Sequence, residues 1–126
     1  MIPAETKDAP LPSGPYSQAV ISGDIVFVSG QIPIDPTDGT VPEGTEDQIR
    51  IALNNTISVL SAAGVGKGHV LKVTVYLTDM KDFALMNSIY AKTFYAPYPA
   101  RTCVEVSSLP KGVRIMVDAV GETGGH

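Results

Sequence analysis

The residues of this chain best suited to chemistry are Arg101 and Asp118, each embedded in a run of β-forming residues. Around the first the sequence reads Pro99-Ala100-Arg101-Thr102-Cys103-Val104-Glu105-Val106. Alternate side chains of a strand point to opposite faces, so Arg101, Cys103 and Glu105 share one face and Thr102, Val104 and Val106 the other. A guanidinium keeps its charge, and its planar fork matches a carboxylate, which makes Arg101 an anchor for a small acidic ligand if its face opens into a cleft. The plainer alternative is an edge-strand arginine paired with Glu105 or with solvent. Asp118 shares a face with Arg114, Met116 and Val120; it either orients or deprotonates water or serves as a buried partner for a backbone group or an arginine.

Asn87 is three residues from Tyr90 and four from Phe83, which turns it toward an apolar helix stripe where its amide needs partners, or toward a solvated rim. Tyr16, after Gly14-Pro15, is a ring able to cover a cleft or an ordinary turn residue. Cys103 is the only cysteine, so no internal disulfide forms, and a lone strand thiol reads as a small apolar group without a nucleophilic role. Only His69 and His126 offer imidazole, and no His/Cys cluster suggests zinc. Gly64-Val65-Gly66-Lys67-Gly68-His69 resembles a phosphate loop only superficially, because it follows a helix and precedes a strand, the reverse of what a phosphate-binding helix start requires.

The elements that must hold these residues are legible from periodicity. With 126 residues, 44% of them hydrophobic, the chain is expected to form one domain, 1–126. Thirteen acidic against nine basic residues give a net charge of −4, and the absence of any basic run argues against a nucleic-acid surface. No segment has the apolar length of a signal peptide or a membrane span, so a cytoplasmic setting is expected, with the mitochondrion left open. Residues 1 to 15 carry four prolines and read as an extended arm. Ser17–Ser22 and Ile25–Ser29 flank Ser22-Gly23-Asp24 as a hairpin. Pro33 to Gly44 is a loop. Thr45-Glu46-Asp47-Gln48 has the spacing of a capping box, opening a helix whose buried face is Ile49, Ala52, Leu53, Thr56, Ile57, Leu60 and Ala63 and which Gly64 closes.

Val70–Leu77 suits a central strand, Asp82–Tyr95 a second helix, Arg101 and its neighbours a strand, Leu109–Gly112 a turn and Arg114–Val120 a last strand before a frayed Gly121–His126. The order β-β-α-β-α-β-β predicts an α+β fold, a mixed sheet with two helices packed on one face. Its other face then needs a cover, which so short a chain must find in further copies of itself.

Several separated segments together resemble the reactive intermediate deaminase family, the RidA or YjgF-like proteins: Gly14-Pro15-Tyr16-Ser17-Gln18, Val28 to Pro33, Val73 to Phe83, Asn87 to Tyr90, Tyr98 to Val106 and Leu109-Pro110-Lys111. The resemblance implies a YjgF-like (chorismate-mutase-like) fold assembled as a homotrimeric barrel with clefts between subunits. It further implies hydrolysis of 2-iminobutanoate and 2-iminopropanoate to 2-oxoacids and ammonia, with no cofactor. Carried onto this chain, Arg101 clamps the substrate carboxylate, Tyr16 closes over it, Ser29, Gly30 and Gln31 line the cleft, Asn87 stands in its helical wall, and the backbone at Cys103 holds water or the imine nitrogen. Asp118 takes the water-orienting place where the family usually has glutamate. Its carboxylate falls short by about 1.5 Å, one carbon–carbon bond, and misplacement on that scale can cost ~10²-fold in a positioned reaction. A non-catalytic carboxylate binder or sensor therefore stands as the alternative, with a ribonuclease or translation inhibitor behind it.

Overall fold

In the computed structural model, which describes residues 1–123, the alternating runs form one mixed sheet. Its strands are β1 (Ile2–Ala4), β2 (Ala19–Ser22), β3 (Ile25–Gln31), β4 (Val70–Leu77), β5 (Ala100–Glu105) and β6 (Ile115–Glu122), in the order β1-β2-β3-β6-β4-β5. Every neighbouring pair is antiparallel except β4 with β5, which are joined by a helical crossover. Two helices, α1 (Thr45–Ala62) and α2 (Phe83–Thr93), pack on one face and against each other, so the predicted α+β arrangement is present. No helix among the described residues is long and apolar enough to cross a membrane.

The arm is extended as expected, and Ile2–Ala4 goes further by adding an edge strand against β2, a position that tolerates Pro3 because an outer strand can spare an N–H. Other local expectations are corrected. The end expected to fray begins later, since Gly121 pairs with Val26 and Val70 inside the sheet, while Gly124 to His126 lie outside the described residues. The capping box does not form. Gly44 is the N-cap, without a side-chain cap bond, and Gln48 serves the tertiary structure instead. Its amide donates to the Pro42 carbonyl at 2.9 Å and its oxygen accepts from the Arg114 backbone N–H at 2.8 Å. Backbone groups shielded from water need partners, and Gln48 reaches two partly buried ones.

The face of α1 turned to the sheet carries Ile49, Ala52, Leu53, Val59 and Leu60, all essentially buried; each large one contributes roughly 1.5–3 kcal/mol of hydrophobic stabilisation. Ile57, expected among them, is only partly buried and packs at the margin. Buried Asn55 ties this helix to the preceding loop by donating to the carbonyls of Ile32 and Ile34, and Gly64, at φ +89°, ends the element as expected. The second helix is shorter than its apolar spacing predicts because a 3-10 turn, Met80–Asp82, precedes it and Phe94 leaves helical geometry.

Against these helices the strands present Val26, Val28, Val73, Val75, Leu77, Ile115, Val117 and Ala119. Their alternate residues form the opposite, uncovered face. Register aligns Phe27 with Val120 and Lys72, Asp118 with Thr74 and Thr102, and Met116 with Tyr76 and Val104. Phe27 and Val104 are 49% and 40% exposed on this face, an apolar surface left open in the single chain.

Candidate active site

Strand register decides where the two charged candidates go. Arg101 on β5 lies level with Val73 and Ala119, whose side chains face the helices. Asp118 on β6 is one residue out of phase, level with Thr74 and Thr102 on the open face. Within one chain the pair is therefore divided by the thickness of the sheet.

β5 is indeed the sheet's edge, but Arg101 is not paired with Glu105. That carboxylate turns away to accept the Met80 backbone N–H at 2.8 Å. The guanidinium carbon of Arg101 lies 4.8 Å from the Tyr90 ring centroid and 5.6 Å from that of Phe83, and Nη1 is 3.8 Å from the Met86 sulfur. Aromatic faces attract the cation by ~0.5–2 kcal/mol each, and a thioether accepts weakly, so these contacts orient the fork without neutralising it. Among the described residues no carboxylate lies within 4.0 Å of Arg101. A cavity of about 370 Å³ opens beside it, bounded by Asn87, Tyr90, Ala91, Tyr98 and Pro99. Burial pushes the Tyr90 phenol upward against the opposing effect of Arg101, and its hydroxyl is buried without a hydrogen-bond partner among the described residues. Cys103 lies partly buried on the same side of β5; burial likewise pushes its thiol up, which keeps it protonated and inert near neutrality.

On the other side of the sheet a second cavity, of about 410 Å³, gathers Tyr16, Ser29, Gly30, Lys111, Met116 and Asp118. A β-bulge builds it: Val28 pairs with Ala119 and Gln31 with Val117, so Ser29 and Gly30 together oppose Asp118 alone. The Ser29 hydroxyl donates to the Ser17 carbonyl at 2.6 Å, fastening the bulge to the segment that carries Tyr16. A Cβ at position 30 would come within 2.7 Å of the Met116 sulfur, so glycine leaves room there for the Met116 side chain. Tyr16 is half exposed, with its backbone N–H bonded to the Gly14 carbonyl in a tight turn.

Asp118 itself accepts a hydrogen bond, at Oδ2, from the Tyr76 hydroxyl at 2.8 Å. That bond, with burial and the carboxylate charge adding to it, raises the Tyr76 phenol above its ordinary value.

The expected cleft residues thus fall into two groups: Arg101, Asn87 and the edge backbone at Cys103 on the helix side, and Tyr16, Ser29, Gly30 and Asp118 on the open side. Gln31 belongs to neither. The bulge rotates it into the interior, where it is 4% exposed and donates to the Ser29 carbonyl at 3.2 Å. Phe83 and Tyr90 as the guanidinium's seat, and Tyr76 as the partner of Asp118, went unassigned from sequence; the one available signal was an aromatic at the outward parity of a central strand. No cluster of three or more metal-ligating side chains occurs among the described residues.

The chain as a whole is similar to known proteins. Residues 6–123 match the family described as Endoribonuclease L-PSP. A RutC family protein of Pyrococcus horikoshii is 52% identical over 116 residues, covering 91% of this chain and 92% of that protein. A 2-iminobutanoate/2-iminopropanoate deaminase of Salmonella typhimurium is 44% identical over 118 residues, covering 91% of this chain and 92% of its own. The crystal structure of Escherichia coli TdcF with bound serine superposes with a TM-score of 0.92 at 39% identity, over 97% of this chain and 98% of that one.

Proposed function

Because the chain belongs to the Endoribonuclease L-PSP family, that of the YjgF/RidA proteins, we propose that it is a reactive intermediate deaminase hydrolysing small 2-iminoacids, such as 2-iminobutanoate and 2-iminopropanoate, to 2-oxoacids and ammonia. The observation that carries this reading is the Arg101 guanidinium, seated on two aromatic rings beside a cavity with no acidic partner near it among the described residues. Such a fork takes a carboxylate in two parallel hydrogen bonds and sets the position of the carbon attached to it. The relatives named as deaminases and the TdcF structure with bound serine support the same class of ligand.

Hydrolysis needs water delivered to a carbon made electrophilic by a protonated imine nitrogen. Asp118 is the acceptor that orients this water, Tyr16 covers the ligand, Ser29 and Gly30 form the bulged floor, and Asn87 and the edge backbone at Cys103 complete the wall. Since Arg101 and Asp118 occupy opposite faces of one sheet, a shared substrate requires them from two chains. The reading therefore includes a homotrimer, in which the open face with Phe27 and Val104 is covered and each cleft joins the Arg101 side of one subunit to the Asp118 side of the next.

Subunit complementation tests both parts. Arg101→Ala and Asp118→Asn are each expected to lose ammonia release from freshly generated 2-iminobutanoate. Co-assembled in equal amounts, they restore intact clefts at about a quarter of the interfaces by random association in a closed ring. No recovery in mixed assemblies of verified composition refutes the two-chain site, and a parent protein that releases ammonia no faster than buffer refutes the deaminase. The engagement of Asp118 by a phenol favours one other reading, a carboxylate binder in which 2-oxobutanoate binds without turnover. The acidic balance of the chain disfavours RNA as a substrate.

A further inference from the structure

Gln18, at the entry to β2, is only 1% exposed, as deeply buried as the apolar core. A primary amide so far from water needs partners for its hydrogens and its oxygen. All of them lie in the amino-terminal arm. Oε1 accepts from the Thr6 backbone N–H at 2.7 Å, while Nε2 donates to the carbonyls of Thr6 at 3.0 Å, Pro10 at 2.8 Å and Ala9 at 3.3 Å. This set fixes the orientation of the amide, since turning it over would put its oxygen against three carbonyls.

The backbone around Gln18 is held from the other side. The Ser17 carbonyl accepts from the Ser29 hydroxyl at 2.6 Å and the Gln18 carbonyl from the Ser29 N–H at 2.9 Å, which fastens both residues to β3. The loop from Leu11 to Tyr16 therefore runs between two fixed ends, one gripped by the Gln18 side chain and the other by its backbone. Inside the loop Pro12 and Pro15 have no N–H to give. The bonds that remain are local: the Tyr16 N–H donates to the Gly14 carbonyl at 2.9 Å and the Ser13 N–H to the Tyr16 hydroxyl at 3.4 Å. Tyr16 is half exposed, so its ring takes its place from the loop more than from packing. Two other tethers act on the arm, but buried Ala9 offers only a methyl group and β1 ends at Ala4, well before the loop.

Resting on the reading of Tyr16 as the residue that covers the ligand, we propose that Gln18 is its positioning residue: the buried amide clamps Thr6 to Pro10 and so sets the loop from which the Tyr16 ring reaches over the cleft. Gln18 does not line the cavity that Tyr16 shares with Ser29 and Met116. It acts by keeping the cover in place before a ligand arrives, and a cover present only part of the time weakens binding in proportion to its population.

Three measurements on the full-length protein decide the assignment, with Gln18→Met chosen to keep the length of the side chain and remove its bonds. In the parent, hydrogen exchange should be markedly slower at the Thr6 amide than at exposed Lys7 beside it, and equal rates overturn the clamp whether or not the variant folds. In a crystal structure of Gln18→Met the sheet should be unchanged and the loop from Leu11 to Tyr16 displaced or present in more than one position; a Tyr16 ring in its parent position overturns the proposal. Calorimetric titration with 2-oxobutanoate should give a Kd about 10-fold higher for Gln18→Met, as for a cover in place about a tenth of the time. In a Tyr16→Ala background the same substitution should cost less than about twofold, and an equal cost in both backgrounds overturns the coupling. If Tyr16→Ala binds as tightly as the parent, the covering reading of Tyr16 fails and the assignment with it. A parent that binds 2-oxobutanoate and hydrolyses no imine refutes the deaminase reading alone.

Discussion

Replacing Arg101 separates charge from geometry. The guanidinium is held by two rings, at 4.8 and 5.6 Å, and by the Met86 sulfur, so its fork is oriented before any ligand arrives. A hydrogen bond to a charged group contributes about 1.5–3 kcal/mol, and a two-pronged grip on a carboxylate about twice that. Arg101→Ala should therefore weaken 2-oxobutanoate binding by ~10²- to 10⁴-fold. Arg101→Lys keeps the charge but gives up the fork and most of the stacking, and should recover only part of this, leaving binding about 10- to 100-fold weaker than the parent. The cost to folding is smaller: two lost ring contacts, about 1–2 kcal/mol together, lower the melting temperature by roughly 3–10 °C in a chain of this size. Calorimetric titration with 2-oxobutanoate, beside a thermal melt on each variant, reads both quantities. Lysine at position 101 binding as tightly as arginine, in a folded protein, would show that the planar fork has no part in recognition.

Other consequences are accessible to simple assays. Gly121 sits where a Cβ would meet Val65 Cγ1 at 2.6 Å, so Gly121→Ala should destabilise by about 1–3 kcal/mol, and Val65→Ala in the same chain should return part of the loss; a neutral Gly121→Ala contradicts the packing. Phe27→Glu, placed on the exposed sheet face, should convert the proposed trimer to monomers in sedimentation, and an unaltered mass would place the interface elsewhere. Cys103, its thiol pushed up by burial, should alkylate slowly at neutral pH and faster as the solution becomes alkaline; rapid labelling at pH 7 is inconsistent with that environment. Tyr76 binds its proton more tightly folded than unfolded, so its contribution to stability is complete below the unfolded phenol's value and is lost as pH rises through the higher folded one. Denaturant midpoints of the parent should fall across that alkaline window more steeply than those of Asp118→Asn, and parallel curves would contradict the linkage.

Periodicity and a handful of local signals determined much of this protein on their own. The stripe from Ile49 to Leu60, the β-former run from Val70 to Leu77 and the glycine after Ala63 specify their elements because each depends on spacing along the chain alone. The parity of Arg101 with Cys103 and Glu105 was equally local, and so was the likeness of the Tyr98 to Val106 segment to deaminases. The relative phase of different strands was not, because one residue of register exchanges every side chain between faces. Tertiary structure alone placed Arg101 toward the helices and Asp118 away from them, turned Gln31 inward through the bulge at Ser29 and Gly30, took Gln48 from its cap to the carbonyl of Pro42, and brought Tyr76 diagonally to Asp118. Each of those outcomes is a contact between residues distant in sequence or a register between strands, and pairing across the folded sheet decides it.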